Sequence, residues 1–426
     1  MNLVLVILLT HIFSQNSTPN NVLYLTVDTL RADFLGCYGF PYPTSPNIDS
    51  LAERGLVFDN CIAEVPLTCP SFSAMLTSNY PRSLGVVRNG LGINKRTKTI
   101  PEIFKENGYF TFCVQSNWTL KSRISGLSKG FDKYDDDFHS KRWGLFASER
   151  LANDVTDRAL EILEDVPRDK PFFAWIHYSD PHAPYIYRRD YDVLPQAQDF
   201  GSLKKVERVR RNYASEVRFV DENIGRLLKK LPPNTIIVFV ADHGESLYEH
   251  NYFGHGRRLY HNELKIPLII VADNVKPGRT NVPVRGIDIG PTLLGLANIP
   301  IPNNFIGIDI LGNEIPTNRV RVVETYSGAV PKIPILRFFM KRAHPIMQGV
   351  IVEEWKLIVD GKKYELYNLK TDPAETVNLA KSEPEIAKKL LSLINEWNKK
   401  VPLRKEFSSS SLSKEDLEVL RSMGYF

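Results

Sequence analysis

The chain has 426 residues, 43% of them hydrophobic and 24% charged, with a formal net charge of +5. That length buries a substantial core in one large domain or two to three ordinary ones, and the composition excludes a disordered or fibrous chain. The positive excess sits in clusters such as Lys204, Lys205, Arg208, Arg210 and Arg211 with no aromatic residues between them, which reads as a solvated helix face; no nucleic-acid partner is expected.

Met1–Leu9 is an apolar run too short to span a bilayer, so no stable transmembrane anchor is expected. It has the length of a signal-peptide core, although the positive residues that usually precede one are missing. A leader over residues 1–14 and export to the periplasm or outside the cell are the expectation. Four cysteines (Cys37, Cys61, Cys69 and Cys113) are too sparse for a disulfide framework. The triplets Asn16-Ser17-Thr18 and Asn117-Trp118-Thr119 match a glycan-acceptor pattern that also arises by chance.

Val22–Val27 is a dense β-branched and apolar run, predicted as a buried parallel strand, and it ends in Asp28. Ser45 is placed to cap a short helix that begins at Pro46 and closes at Gly55. Leu56–Phe58 reads as a strand, and Pro66–Pro81 reads as a turn feeding a helix, with Thr68 and Cys69 at its head. Residues 101–107 form a helix, followed by a strand over Tyr109–Val114.

Apolar residues at helical spacing mark Ala147–Glu164. The strand Phe172–Ile176 runs into His177, Asp180 and His182. A helix over Tyr213–Leu231 is stopped by Pro232 and Pro233, and the apolar strand Thr235–Val240 ends in Asp242-His243-Gly244-Glu245. Leu268–Val271 is a further strand and Asp288–Leu296 a helix. From about residue 315 the pattern shifts to strands at Val320–Thr325, Gly349–Val359 and Tyr364–Leu369, then an amphipathic helix at Glu383–Lys400. We read residues 20–315 as a catalytic domain, 316–407 as a smaller α+β subdomain, and 408–426 as a linker and terminal helix.

Strands alternating with helices bring Asp28, the His177–His182 cluster and Asp242-His243 to one edge of one sheet, where open α/β sheets bind ligands. Burying several such groups side by side is costly without a cation. Asp28, Asp242 and His243, with the Thr68 hydroxyl as a fourth contact, make a divalent site of oxygen and nitrogen ligands. His182 and His255 are placed to contact substrate oxygens or protonate a leaving group. His250 and His261 read as incidental loop histidines.

The stretches VDTLRADFLGCYG, SPNIDSLAERGLVFDNCIA, PLTCPSFSAMLTSNYP, YSDPHAPY, ADHGE, IDIGPTLLGLANIPIP and ELYNLKTDPAETVNLA occur in an order that resembles the sulfatase family of the alkaline phosphatase superfamily. The resemblance covers roughly residues 20–380 and implies an α/β fold: a large mixed, mostly parallel sheet flanked by helices, with a smaller C-terminal antiparallel sheet subdomain. It also implies metal-assisted displacement through a covalent intermediate. Asp28 and Asp242 fall on metal aspartates, His182 on a histidine contacting the anionic group, and His255 near a leaving-group lysine.

The sequence departs from the family at the head of Pro66–Pro81. The family nucleophile signature is C-x-P-S-R, its Cys converted to formylglycine; the register of Pro70-Ser71 puts Thr68 rather than Cys69 at that position and Phe72 at the Arg. Thr29 stands at the usual second metal aspartate and His243 at the usual Asn. Losing an acidic ligand and gaining an imidazole favours manganese or zinc over calcium.

The reading is a metal-dependent hydrolase or transferase in which Thr68 attacks an anionic ester, phosphate ester being favoured, of a sugar, lipid head group or glycan. The alternatives are a true sulfatase using Cys69 and a non-catalytic binding protein on a sulfatase scaffold. Tyr185, Tyr187, Arg188, Arg189 and Arg257 are candidate contacts for the organic part of the substrate.

Overall fold

The structure is a computed structural model that describes residues 20–138, 150–195, 203–326 and 346–404. The expected leader, the Asn16 triplet and the terminal helix lie outside these residues.

The runs densest in Val, Ile and Phe become the central strands. β1 (Val22–Val27), β5 (Phe172–Tyr178) and β6 (Ile236–Ala241) are buried along their whole length. β1 lies between the other two and is parallel to both, with Thr26 opposite His177 and Val240. β2 (Leu56–Ile62), β3 (Phe110–Val114), β4 (Lys133–Asp135), β9 (Lys265–Val271) and β10 (Gly278–Thr280) complete the order β10-β2-β9-β6-β1-β5-β3-β4, and β11 (Val284–Arg285) also pairs with β2. Only the β2–β9 and β6–β9 pairs are antiparallel, so the sheet is mixed and mostly parallel as expected. β7 (Ser246–Leu247) and β8 (Phe253–Gly254) form a small separate hairpin.

Two groups of helices flank the sheet. α1 (Pro46–Glu53) and α4 (Ala152–Glu164) pack on α5 (Lys205–Leu228), while α2 (Thr68–Thr77) packs on α3 (Ile100–Glu106) and α6 (Ile289–Leu296). Every residue of α2 is buried, as a helix without a polar face must be.

Several local expectations change. Ser45 makes no cap bond; its hydroxyl accepts from Gly36 N (2.9 Å), and Asp221 of α5 takes the cap, accepting from Asn47 N (3.0 Å) and Ile48 N (2.8 Å). A carboxylate is the stronger acceptor at a helix N-terminus. α4 starts at Ala152 within the described residues, and α5 begins at Lys205 rather than Tyr213. The basic cluster on α5 is only partly solvated, since Arg211 is buried against Asp192 (2.6 Å) and Arg210 pairs with Glu249 (2.9 Å).

The C-terminal sheet runs β12 (Arg321–Thr325), β13 (Met347–Val352), β14 (Trp355–Asp360) and β15 (Lys363–Asn368), all antiparallel. The single run expected over Gly349–Val359 is two strands, because the chain reverses at Glu353 with φ +53. No Gly, Asn or Pro marks that turn in the sequence. Alternation splits the sheet's side chains between two faces. Val322, Val350, Leu357 and Leu366 meet Leu390 and Ile394 of α7 (Pro384–Lys400), and Val323, Ile351, Ile358 and Tyr367 meet Ile62, Leu259 and Leu264 of the main body. Burial of each aliphatic side chain contributes about 1.5–3 kcal/mol, which fastens the small sheet to the large one. Among the described residues no helix is long and apolar enough to cross a membrane.

Candidate active site

The carboxyl ends of β1, β5 and β6 lie side by side, and the residues just beyond them converge. Asp28, Asp242 and His243 are fully buried, and one ligand atom from each lies within 4.8 Å of the others. Each of the three uses one polar atom to fix itself and leaves the other bare. Asp242 Oδ1 accepts from Thr29 N (3.1 Å) and His243 N (2.8 Å), while Oδ2 has no hydrogen-bond partner. Asp28 Oδ2 accepts from Asn117 Nδ2, while Oδ1 is bare.

His243 Nδ1 lies 2.8 Å from Gly244 O, a contact in which the nitrogen donates, so Nε2 is left with a free lone pair. That nitrogen stands 3.4 Å from Asp242 Oδ2 and 3.9 Å from Asp28 Oδ1. Three bare acceptors facing one point, with no donor among them, fit a divalent cation of mixed oxygen and nitrogen preference.

Electrostatics point the same way. Burial pushes the Asp28 carboxyl up, but the imidazoles around it, His177 first and then His182 and His243, more than offset this and hold it well below the usual carboxylate range. Asp242 goes the other way, raised by burial and then by the Asp28 charge. Burial and the neighbouring His255 bring His243 down to about 3, so it is neutral and free to ligate. Two carboxylates cannot both ionise cheaply here unless a positive charge lies between them.

Thr68 is the first residue of α2, fully buried, and its hydroxyl has no partner. Residues three and four apart share a helix face. On the Thr68 face, Ser71 Oγ donates to Asp242 O (2.7 Å) and the Phe72 ring meets the His177 ring edge-on at 4.8 Å. Cys69 is turned elsewhere: its Sγ donates to Leu91 O (3.1 Å), its N–H donates to Asn89 (2.9 Å), and burial pushes its thiol up to about 12. Burial of this kind keeps a thiol protonated.

His182 and His255 come together, their rings 5.3 Å apart, with His255 also 4.5 Å from His243. His255 Nδ1 bonds Glu245 Oε1 (3.0 Å), and although burial opposes it, the Glu245 charge raises the pKa of that ring. His250 and His261 stay outside: His250 stacks on Tyr260 and His261 begins a short helical turn. Arg188 pairs with Asp180 (2.9 Å) and lies over Phe219. Tyr185 packs edge-on against Tyr213 and Phe253, and Tyr187 donates to Asp192 (2.7 Å).

Sequence reasoning brought His177 to this edge as part of a loop cluster but gave it no role of its own, and it gave none to Asn117, Glu245 or the backbone of Thr29. Asn117 is fully buried against Asp28, so its triplet is not a glycan site in the folded chain. His177 belongs to β5 itself rather than to the loop after it. Thr29 holds φ +51, a conformation unfavourable for a β-branched residue, with a buried and unpartnered hydroxyl.

Comparison with known proteins gives the family and the fold. Residues 20–299 match the Sulfatase family model, and residues 248–400 match that of the N-sulphoglucosamine sulphohydrolase C-terminal region. The N-acetylglucosamine-6-O-sulfatase of Bacteroides thetaiotaomicron is 26% identical, over 89% of this chain and 86% of its own. A structure solved in complex with its substrate D-glucosamine-2-N,6-O-disulfate aligns with TM-score 0.75 at 23% identity, over 90% of this chain and 98% of the other. The phosphonate monoester hydrolase of Silicibacter pomeroyi aligns with TM-score 0.70 at 20% identity, over 91% and 96%. The strand-end acidic and histidine cluster, the two-sheet architecture and a family match along most of the chain lead to one conclusion: the protein is an enzyme of the sulfatase family, within the alkaline phosphatase superfamily.

Proposed function

We propose that the protein is a divalent-cation-dependent hydrolase of sulfate esters of sugars, with Thr68 Oγ1 as its nucleophile. The names of its relatives move the weight from the phosphate ester expected from Thr68 to a sulfate ester: an N-acetylglucosamine-6-O-sulfatase, a human iduronate 2-sulfatase, and a fold neighbour bound to a disulfated glucosamine. The observation that carries the nucleophile is the bare, buried hydroxyl of Thr68 on the helix face that touches Asp242 and His177, with Cys69 bonded away from it.

Asp28, Asp242 and His243 would hold the cation, manganese or zinc fitting the imidazole better than calcium. Such a cation supplies Lewis-acid stabilisation of the ester's negative oxygens and makes a nearby hydroxyl more acidic. The N-terminus of α2 adds its positive end to the anionic group. Thr68 Oγ1 attacks sulfur, forming an S–O bond to the protein as the S–O bond to the sugar breaks. The hydroxyl proton reaches the departing sugar oxygen by way of His255 or His182. Water then attacks the same sulfur, Thr68 regains its hydroxyl, and sulfate is released. An alcohol in place of water would make the enzyme a transferase.

A second reading keeps Thr68 and exchanges sulfur for phosphorus. Its support is Thr68 itself, a hydroxyl nucleophile suited to direct attack on phosphate, together with the phosphonate monoester hydrolase among the fold neighbours. One panel separates the two: aryl and sugar sulfates, phosphate monoesters and phosphodiesters, assayed with manganese, zinc or calcium. Sulfate turnover lost in Thr68→Ala supports the first reading, and turnover of phosphate esters alone supports the second. Activity retained in Thr68→Ala, or formylglycine found at residue 69 by intact-peptide mass spectrometry, removes Thr68 from the mechanism. The reading includes export with loss of residues 1–14, which N-terminal sequencing of mature protein checks.

A further inference from the structure

Asp28 presents one oxygen to the cation centre and has the other occupied, and what occupies it comes from two neighbouring strands. β5 lies beside β1 and β3 beside β5, so residues following these strands stand in a row. Asn117 follows β3. Its Oδ1 accepts from Thr119 N (2.9 Å) and Thr119 Oγ1 (2.8 Å), which fixes the amide with Nδ2 directed at Asp28 Oδ2.

His177 lies in register with Thr26, two residues before Asp28, so alternation puts all three on one face of the sheet. Its Nδ1 is held by Thr26 Oγ1 at 3.0 Å, and that hydroxyl is itself fixed by Trp175 Nε1 at 2.9 Å. Its ring is braced by the edge contact with Phe72. Its Nε2, fully buried and without a hydrogen-bond partner, stands 3.7 Å from the same Oδ2.

We propose that Asn117 and His177 are positioning residues for Asp28: the Asn117 amide donates to Oδ2, the His177 ring stands against the same oxygen, and the two hold the carboxylate with Oδ1 facing the divalent cation. The inference rests on the cation site of Asp28, Asp242 and His243 and adds to it the geometry that makes Asp28 a one-oxygen ligand. A carboxylate free to rotate presents either oxygen, or both at once, and gives up that freedom on binding, which costs affinity. Fixing one oxygen in advance removes that cost. The arrangement mirrors Asp242, whose Oδ1 is claimed by two backbone N–H groups. Phe72, standing where the family has an arginine, thereby acquires a role as the brace that keeps the His177 ring upright.

The test measures affinity of the full chain for manganese and zinc by chelator competition, with the melting temperature of the cation-free protein beside it. His177→Phe keeps the ring's shape and its packing against Phe72 but has no nitrogen, whereas His177→Gln keeps a nitrogen near the Nε2 position. His177→Phe is expected to weaken cation binding about ten- to a hundred-fold, the usual range for a partner of a metal ligand, with His177→Gln recovering most of the loss. Asn117→Ala, which removes the amide donor to Oδ2, is expected to weaken it about ten-fold or more and serves alone if His177→Phe does not fold.

Wild-type affinity in both His177→Phe and Asn117→Ala overturns the proposal. Equal loss in His177→Phe and His177→Gln assigns His177 to packing and also overturns it. Asp28→Asn is the control. If it abolishes binding while His177→Phe and Asn117→Ala do not, only the positioning fails; if the unaltered protein binds neither cation, the site fails with it.

Discussion

His243 Nε2 lies 3.4 Å from Asp242 Oδ2 while the backbone N–H of the same histidine donates to Asp242 Oδ1 at 2.8 Å. Adjacent residues at a strand end thus grip opposite sides of one carboxylate. The peptide fixes Asp242, and the ring then faces the oxygen left over. This geometry turns the His243 nitrogen toward the same point as the free oxygens of the two aspartates.

Replacing that nitrogen with an amide oxygen tests the ligand set. In His243→Asn the backbone bond to Asp242 persists, but the donor softest toward zinc is gone. Zinc affinity is expected to fall about ten-fold or more, with calcium affinity changing much less, as read by competition with a chromophoric chelator. Equal loss for both ions would place His243 outside the coordination sphere.

Thr29 carries strain beside the same carboxylate. Its φ of +51 suits glycine, its hydroxyl is buried without a partner, and its N–H donates to Asp242 Oδ1 at 3.1 Å. Thr29→Gly keeps the N–H, relieves the conformation and removes the bare hydroxyl. The cation-free protein is expected to gain about 1 kcal/mol in denaturant unfolding while activity drops. A loss of stability instead would mean the hydroxyl is satisfied in solution.

The sheet and most of the site were readable from the sequence because one physical rule governs both. A parallel strand buried on both faces must be an apolar run, and its first polar residue then marks the ligand edge; Val22–Val27 into Asp28 and Ile236–Ala241 into Asp242 follow it. The rule failed where the functional group sits inside the strand. His177 ends a run that stays buried through Tyr178, so its imidazole looked like the start of a loop. Asn117 looked like a sugar acceptor because a triplet cannot show which side chain turns inward. Asp221 capping α1 from another helix, and the β13–β14 turn at Glu353, depend on contacts and backbone angles that no local pattern encodes.

A buried ion pair in the smaller sheet offers a test of stability rather than chemistry. Lys356 Nζ lies 2.6 Å from Glu375 Oε1, with both side chains almost wholly removed from water. Lys356→Ala leaves the Glu375 carboxylate unpaired and is expected to cost about 3–5 kcal/mol. Lys356→Met combined with Glu375→Gln removes both charges, and the amide oxygen still accepts from His261 N. The double variant is expected to regain most of that loss in a double-mutant cycle on chemical denaturation. Additive losses would show that the pair contributes packing only.

Glu64 links the two sheets and gives the molecule a pH-dependent stability. Its backbone carbonyl accepts from Glu324 N of β12 (2.9 Å) and its Oε1 from Ile287 N (3.1 Å), while Oε2 has no partner. Burial, only partly offset by the Ile287 N–H and Arg285, raises its pKa from 4.5 to about 7. A raised carboxyl favours the protonated folded state, so its contribution is complete below about pH 4.5, declines as pH rises, and is gone above about pH 7. Glu64→Gln is neutral at every pH and retains the acceptor for Ile287 N. The stability of wild type relative to this variant should therefore fall by about 1–3 kcal/mol between pH 4.5 and 7 and stay level above it. Other titrating groups cancel in the difference, so parallel melting curves for the two proteins across that range would show that Glu64 is ionised in the native state at no cost.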